Sequence, residues 1–225
     1  MNLEGFDWGW MNEGEGLFHK NSITQEIFVD KIYEKFYQIQ EGDTVLDVGA
    51  SVGPFTYSIL SKNPKHVFCI EPSNTEFVTL LRNFSDQKNI TIINKGISST
   101  NMVVENNELF GGETYMQGTT FKDLIKNYNI EKIDFLKTDC EGGEYDIFTI
   151  DNFCWLKDNI KSVAGEWHLS TPELKQKFRV FRDVFLRLFP NHEVYSVNGI
   201  DIKWSLWNED FIEYYNEIII YIDNR

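Results

Sequence analysis

Cysteine, proline and basic residues are all scarce in this chain of 225 residues. The three cysteines, Cys69, Cys140 and Cys154, show no C-x-x-C spacing, so neither a disulfide framework nor a cysteine zinc site is suggested. Buried free thiols in a reducing cytoplasm are the expectation. Five prolines and no Pro/Ser-rich tract leave nothing that reads as an interdomain linker, and no internal repeat is present. Lys and Arg number 21 against 35 Asp and Glu, a net charge of −14. Such a surface repels phosphate backbones and anionic lipid, so neither a nucleic-acid nor a membrane partner is expected. The longest apolar run, near Ile218 to Ile222, falls far short of the roughly 20 residues that span a bilayer. The opening Met-Asn-Leu-Glu-Gly-Phe-Asp carries neither a basic head nor an apolar signal stretch, so a cytoplasmic location is expected.

What the chain does have is aromatic and aliphatic residues. With 18 Phe, 10 Tyr and 6 Trp it can build a sizeable core, which argues against disorder and against a coiled coil. Short β-branched runs alternate with helical patterns. The runs are 44–48, 66–70, 90–94, 133–138, 162–166, 193–197 and 217–222, and the first five are nearly all apolar, as strands covered on both faces are. Capping-box spacings start the helices at Ser22/Gln25, Ser73/Glu76, Thr120/Asp123 and Ser170/Glu173, and Pro54 and Pro172 suit a first helical position. One helix is expected from about Ile23 to Gln40. The pattern predicts an α/β, Rossmann-like, doubly wound sheet of seven mostly parallel strands. It has helices on both faces and an antiparallel edge pair joined by a loop without a clear helix. Residues 1–41 are expected to be an N-terminal extension and helix, a possible lid, and 42–225 the main domain of a single globular unit.

In such a sheet ligands bind beyond the carboxyl ends of the strands. After the first strand, Asp47-Val48-Gly49-Ala50-Ser51-Val52-Gly53-Pro54 reads as a turn whose glycines admit a ligand and whose following helix points its N–H groups outward. Asp47 is a carboxylate in an otherwise apolar strand and needs a partner. The turn lacks the central glycine of a nicotinamide site and the Lys-Ser/Thr of a P-loop. It does match G-x-S-x-G, which makes Ser51 a candidate hydrolase nucleophile, with His168 or His192 downstream. Glu71 ends the second strand where an acid can hold both hydroxyls of a ribose. After the fourth strand come Lys137 and three crowded acids, Asp139, Glu141 and Glu144, one of which is expected to be protonated, paired or metal-bound. After the fifth come Glu166, Trp167 and His168, the histidine being a candidate general base. Asp139, Glu141, Glu166 and His168 also have the donor types of an O/N metal site.

The set D-V-G-A-S-x-G-x-F, then I-E-P, then I-D-F-L-K-x-D-x-E-G-G-E resembles the FkbM-type family of class I S-adenosylmethionine-dependent methyltransferases, from about Gly42 to His168. The resemblance implies S-adenosylmethionine as cofactor, with Asp47, Gly49, Ala50, Ser51 and Gly53 around its methionine part. Glu71 would then lie on the ribose, and Gly96 and Ile97 against the adenine. Asp139 would lie near the methyl group or acceptor together with Glu141, and His168 matches a polar position that follows the fifth strand; for the base that a hydroxyl acceptor needs, His168 is the first choice and Asp139 the second. It further implies O-methylation of a hydroxyl on a sugar, a glycan or a related natural product, with a small-molecule or glycan acceptor. A metal is possible but not expected. Trp10, Trp167, Trp204 and Trp207 are candidate walls of an acceptor pocket, since indole faces suit the C–H faces of sugars. The competing readings are a serine hydrolase at Ser51 and a cofactor-binding module without catalysis.

Overall fold

The computed structural model describes residues 3–99, 103–106 and 114–225. The chain falls into two compact units, one of Met1–Gly96 with Met102–Gly118 and one of Ile97–Asn101 with Thr119–Arg225.

The first unit opens with a 3₁₀ turn, Gly9–Asn12, and α1, Gly16–Thr24. Then follow β1 (Thr44–Val48), α2 (Pro54–Ile59), β2 (His66–Ile70), α3 (Asn74–Phe84) and β3 (Ile90–Ile93). β1 pairs parallel with β2, Thr44 opposite His66, and β2 pairs parallel with β3. All five β1 residues are buried, as two-sided burial requires. Ser73 caps α3 by accepting from the Glu76 N–H.

The single helix expected over 23–40 is not there. α1 starts earlier and ends at Thr24, a π turn covers Gln25–Val29, and Lys31 takes a left-handed conformation at φ 51°. Beyond it, Glu34 accepts from the Ile39 N–H and Asp43 from the Gln40 N–H, so side chains take backbone donors that a helix would have used. Ser22, expected as a cap, sits inside α1 and donates to Glu26 instead. The segment before α1 is anchored: Trp8 and Met11 are buried, Asp7 pairs with Arg82, and Asn83 donates to the Asp7 carbonyl.

Three short strands follow, β4 (Gly96–Ile97), β5 (Val103–Asn106) and β6 (Thr114–Thr119), forming a small sheet in the order β4-β6-β5 that the periodicity did not reveal.

The second unit holds α4 (Phe121–Asn127), β7 (Ile133–Thr138), α5 (Glu144–Ile147), α6 (Ile150–Asn159), β8 (Ile160–His168), α7 (Pro172–Val180), β9 (His192–Ser196), α8 (Glu209–Tyr214) and β10 (Glu217–Asp223). β7 and β8 run parallel, Thr138 opposite Gly165, while β10 is antiparallel to both β8 and β9. Thr171, not Ser170, caps α7, because its hydroxyl accepts from the Leu174 N–H. The aromatic loop before β10 contains α8, where no clear helix was expected. Asn208 caps it, and Arg179 and Arg182 bind its Glu209. Cys69 is buried, but Cys154 lies exposed on α6, against the expectation of buried thiols, and all three cysteines are free.

The main sheet has seven strands in the order β3-β2-β1-β7-β8-β10-β9, mostly parallel with an antiparallel strand at one side. This is the expected Rossmann-like class. Among the described residues no helix is long and apolar enough to cross a membrane.

Candidate functional site

In the first unit the turn after β1 is stitched to the end of β2. The N–H groups of Gly49 and Ala50 both donate to the Ile70 carbonyl at 3.0 Å. Ser51 takes φ 51°, unusual for a residue with a side chain, and its N–H donates to Glu71 at 2.8 Å. The other Glu71 oxygen accepts from the Ser73 N–H at 2.7 Å. Gly53 takes φ 94°, and a methyl there would lie 2.2 Å from the Phe84 ring. Only glycine allows the turn to seat on α3.

Asp47 is wholly buried and accepts from the Thr56 hydroxyl at 2.8 Å. With no accessible surface it braces the turn from beneath. The Ser51 hydroxyl donates to Glu76 at 2.9 Å rather than to a histidine, so it is not arranged as an activated nucleophile. Glu76 also accepts from the Trp10 indole N–H at 3.3 Å. This link ties the N-terminal segment to the glycine turn. The sequence signalled Glu76 only as a capping residue. Gly96 is half-buried and packs near Pro72, and Ile97 is buried.

In the second unit the residues after β7 and at the end of β8 form a charged cluster. Glu144, fully buried at the start of α5, accepts from the Cys140 N–H at 3.1 Å and lies 2.7 Å from His168 Nδ1. The ring's Nε2 faces Asp139 at 3.8 Å and Glu141 at 3.6 Å. Lys137, buried, approaches the other Asp139 oxygen at 3.7 Å. The Tyr145 hydroxyl donates to the His168 carbonyl at 2.8 Å and fixes the strand end. Glu141 is exposed and left-handed at φ 54°. At Gly165 a methyl would meet the Thr138 carbonyl oxygen at 2.3 Å, so this glycine permits the close approach of β7 and β8 beneath the cluster.

Burial opposes charge on His168, but the Glu144 hydrogen bond and the charges of Glu144, Asp139 and Glu141 outweigh it, and its pKa is pushed up to about 10. With no metal on Nε2 the ring is therefore protonated at neutral pH. It is not the free base that the sequence suggested. Burial and the Glu144 charge likewise push the Cys140 thiol well up, which makes it a poor nucleophile. The donor atoms of Asp139, Glu166 and His168 lie within 4.8 Å of one another.

The aromatic candidates separate. Trp167 is fully buried and stacks on Phe181 at 5.2 Å, so it is core and cannot touch an acceptor. Its orientation follows from β8, where alternate residues face opposite sides and Glu166 and His168 share the other one. Trp204 is 89% exposed. Trp207 is partly exposed and lies against the guanidinium groups of Arg182 and Arg187. Trp10 is bound to Glu76, as described.

A stretch of 76 residues is 34% identical to the ribosomal RNA small subunit methyltransferase A of Persephonella marina, covering 34% of this chain and 28% of that protein. The match thus spans little more than a quarter of the curated relative's length. A solved rRNA-methylase structure from Clostridium thermocellum shares the fold, with a TM-score of 0.51 at 12% identity over 90% of this chain and 96% of that one. A methyltransferase from Streptococcus mutans, in complex with SAH, aligns with a TM-score of 0.49 at 10% identity over 94% and 98% of the two chains. Residues 47–195, well over half of the chain, match the family described as the methyltransferase FkbM domain. From the Asp47 brace through the His168 cluster, the chain belongs to the FkbM methyltransferase family.

Proposed function

We propose that the protein is an O-methyltransferase acting on a hydroxyl of a sugar, a glycan or a related natural product. The observation that carries the reading is Glu71, a buried carboxylate held by the Ser51 and Ser73 N–H groups at the second strand end of a family-matched segment. A carboxylate at this place suits the two hydroxyls of the ribose of S-adenosylmethionine, and the Ser51–Gly53 turn offers backbone close to a ligand. Gly49, Ala50, Gly96 and Ile97 are assigned to the same cofactor. The cofactor supplies a methyl carbon bonded to a positively charged sulfur, which departs as a neutral thioether.

The new carbon–oxygen bond forms as the carbon–sulfur bond breaks, and the acceptor's proton must go to a base. Protonated His168 cannot take it. Asp139 can: it keeps solvent access, with 32% of its side chain exposed, and Lys137 and His168 hold it from two sides. General-base help of this kind is worth about 10²–10⁴-fold. Glu141, beside it, is assigned to acceptor contact. Among the indoles, Trp204 has the free face that stacking on a sugar needs. The names of the RNA-methylating relatives raise an RNA acceptor as the other reading, which the net charge of −14 opposes.

The test is a calorimetric titration with S-adenosylhomocysteine, followed by methyl transfer from radiolabelled S-adenosylmethionine to nucleotide sugars, oligosaccharides and RNA. Glu71→Gln should lose cofactor binding. Asp139→Asn should keep it and lose turnover by about 10²–10⁴-fold. Label incorporated into RNA alone would overturn the acceptor assignment, and no binding by the folded protein would overturn the cofactor site.

A further inference from the structure

Three donor atoms in the second unit, one each from Asp139, Glu166 and His168, converge on one place. Thr138 of β7 lies opposite Gly165 of β8, so the next residues, Asp139 and Glu166, leave neighbouring strands side by side. Glu166 and His168, two apart on β8, share a face. The resulting atoms all lie within 4.8 Å of one another.

Their surroundings favour a cation. The two oxygens of Asp139 are divided, Oδ2 toward Lys137 and Oδ1 toward His168 Nε2. The imidazole is 5% exposed, and its Nδ1 is taken up by the buried Glu144. That arrangement points Nε2 into the cluster, as a carboxylate behind a metal-binding histidine does. Nε2 is 3.6–3.8 Å from the carboxylates of Glu141 and Asp139, too far for hydrogen bonds. Two donors each about 2.1 Å from one ion stand about 3–4 Å apart, so the spacing suits ligands of a shared ion. The second oxygen of Glu144 is buried with no hydrogen-bond partner among the described residues, so its charge calls for compensation through the ring.

We propose that Asp139, Glu166 and His168 bind one divalent cation of the Mn²⁺ or Mg²⁺ class, with Glu144 orienting the imidazole. Two hard oxygen donors and one imidazole nitrogen suit Mn²⁺ best. Resting on the methyltransferase reading, the ion's use is to polarise the acceptor hydroxyl and make it a better nucleophile, and Asp139, once a ligand, acts through the ion rather than as a free base.

The experiment is Mn²⁺ titration of EDTA-treated, full-length protein without cofactor, by calorimetry and by pulsed electron paramagnetic resonance. One Mn²⁺ per chain is expected at micromolar concentration, with nitrogen modulation from a bound imidazole. His168→Gln should abolish the modulation. Asp139→Asn and Glu166→Gln should each weaken binding at least about 10-fold, and Glu144→Gln about 10–100-fold with the modulation retained. Circular dichroism checks that each variant is folded. The wild-type spectrum needs no variant, and absence of nitrogen modulation there overturns the site. So does affinity no tighter than millimolar, or affinity unchanged in folded Asp139→Asn and Glu166→Gln, which would place the ion elsewhere on an acidic surface. A parallel S-adenosylhomocysteine titration separates the two conclusions: Mn²⁺ bound without homocysteine binding would sink the methyltransferase reading alone, and the reverse would sink the ion site alone.

Discussion

His168 shows how a residue's chemistry is set by its neighbours. Its position at the end of the fifth main strand suggested a base, and counting along the sequence was enough to bring it near Asp139 and Glu141. The decisive partner is Glu144, whose buried carboxylate holds Nδ1 at 2.7 Å. In metal-free protein the folded pKa, about 10, lies above the ordinary 6.5. The stabilisation is therefore complete below about pH 6.5 and is lost as pH climbs through about 10. Urea unfolding of EDTA-treated protein should show wild type losing more stability than His168→Gln between pH 7 and pH 10. Equal losses would mean that the ring is neutral throughout. The acid cluster was visible as D-x-E-G-G-E, but which acid binds the ring was not. That choice depends on the left-handed Glu141 and the Gly142-Gly143 turn, which set where Glu144 enters α5.

At the scale of elements, buried strands announced themselves and irregular helices did not. β1 and β7 are apolar because both faces are covered, and their boundaries agree with the sequence pattern to the residue. The 23–40 segment has helical spacing of Ile and Phe, yet Glu34 and Asp43 capture its backbone donors and Lys31 turns it. Periodicity records which residues are buried, not which groups satisfy the backbone. The capping-box spacing pointed to Ser170, and hydrogen-bond geometry chose Thr171. The β1–α2 turn gives an element-scale prediction. Gly53→Ala should destabilise by about 2–4 kcal/mol, since it combines a left-handed backbone with a collision against Phe84. Urea denaturation measures it. A loss below about 0.5 kcal/mol would mean that α3 moves aside easily.

For the whole molecule the governing quantity is the net charge of −14, which opposes compactness through self-repulsion. Raising NaCl from about 10 to 200 mM should therefore raise the melting temperature by about 2–4 °C in chelated protein, read by differential scanning calorimetry. A fall would show that the attractive pairs, Arg179 and Arg182 with Glu209 among them, outweigh the repulsion. The sequence by itself determined the fold class, the seven main strands in their order along the chain, the glycine turn and the family. Each of these is written in local patterns of burial and in short motifs. Only the tertiary structure decided that Asp47 is a brace, that Trp167 is core, that Ser51 serves Glu76, and that Glu144 holds the His168 ring. These roles depend on distances between residues 9 to 25 apart in sequence, such as Asp47 with Thr56 and Ser51 with Glu76. Protonation and contact are set through space, by burial and by charges that a linear pattern does not bring together.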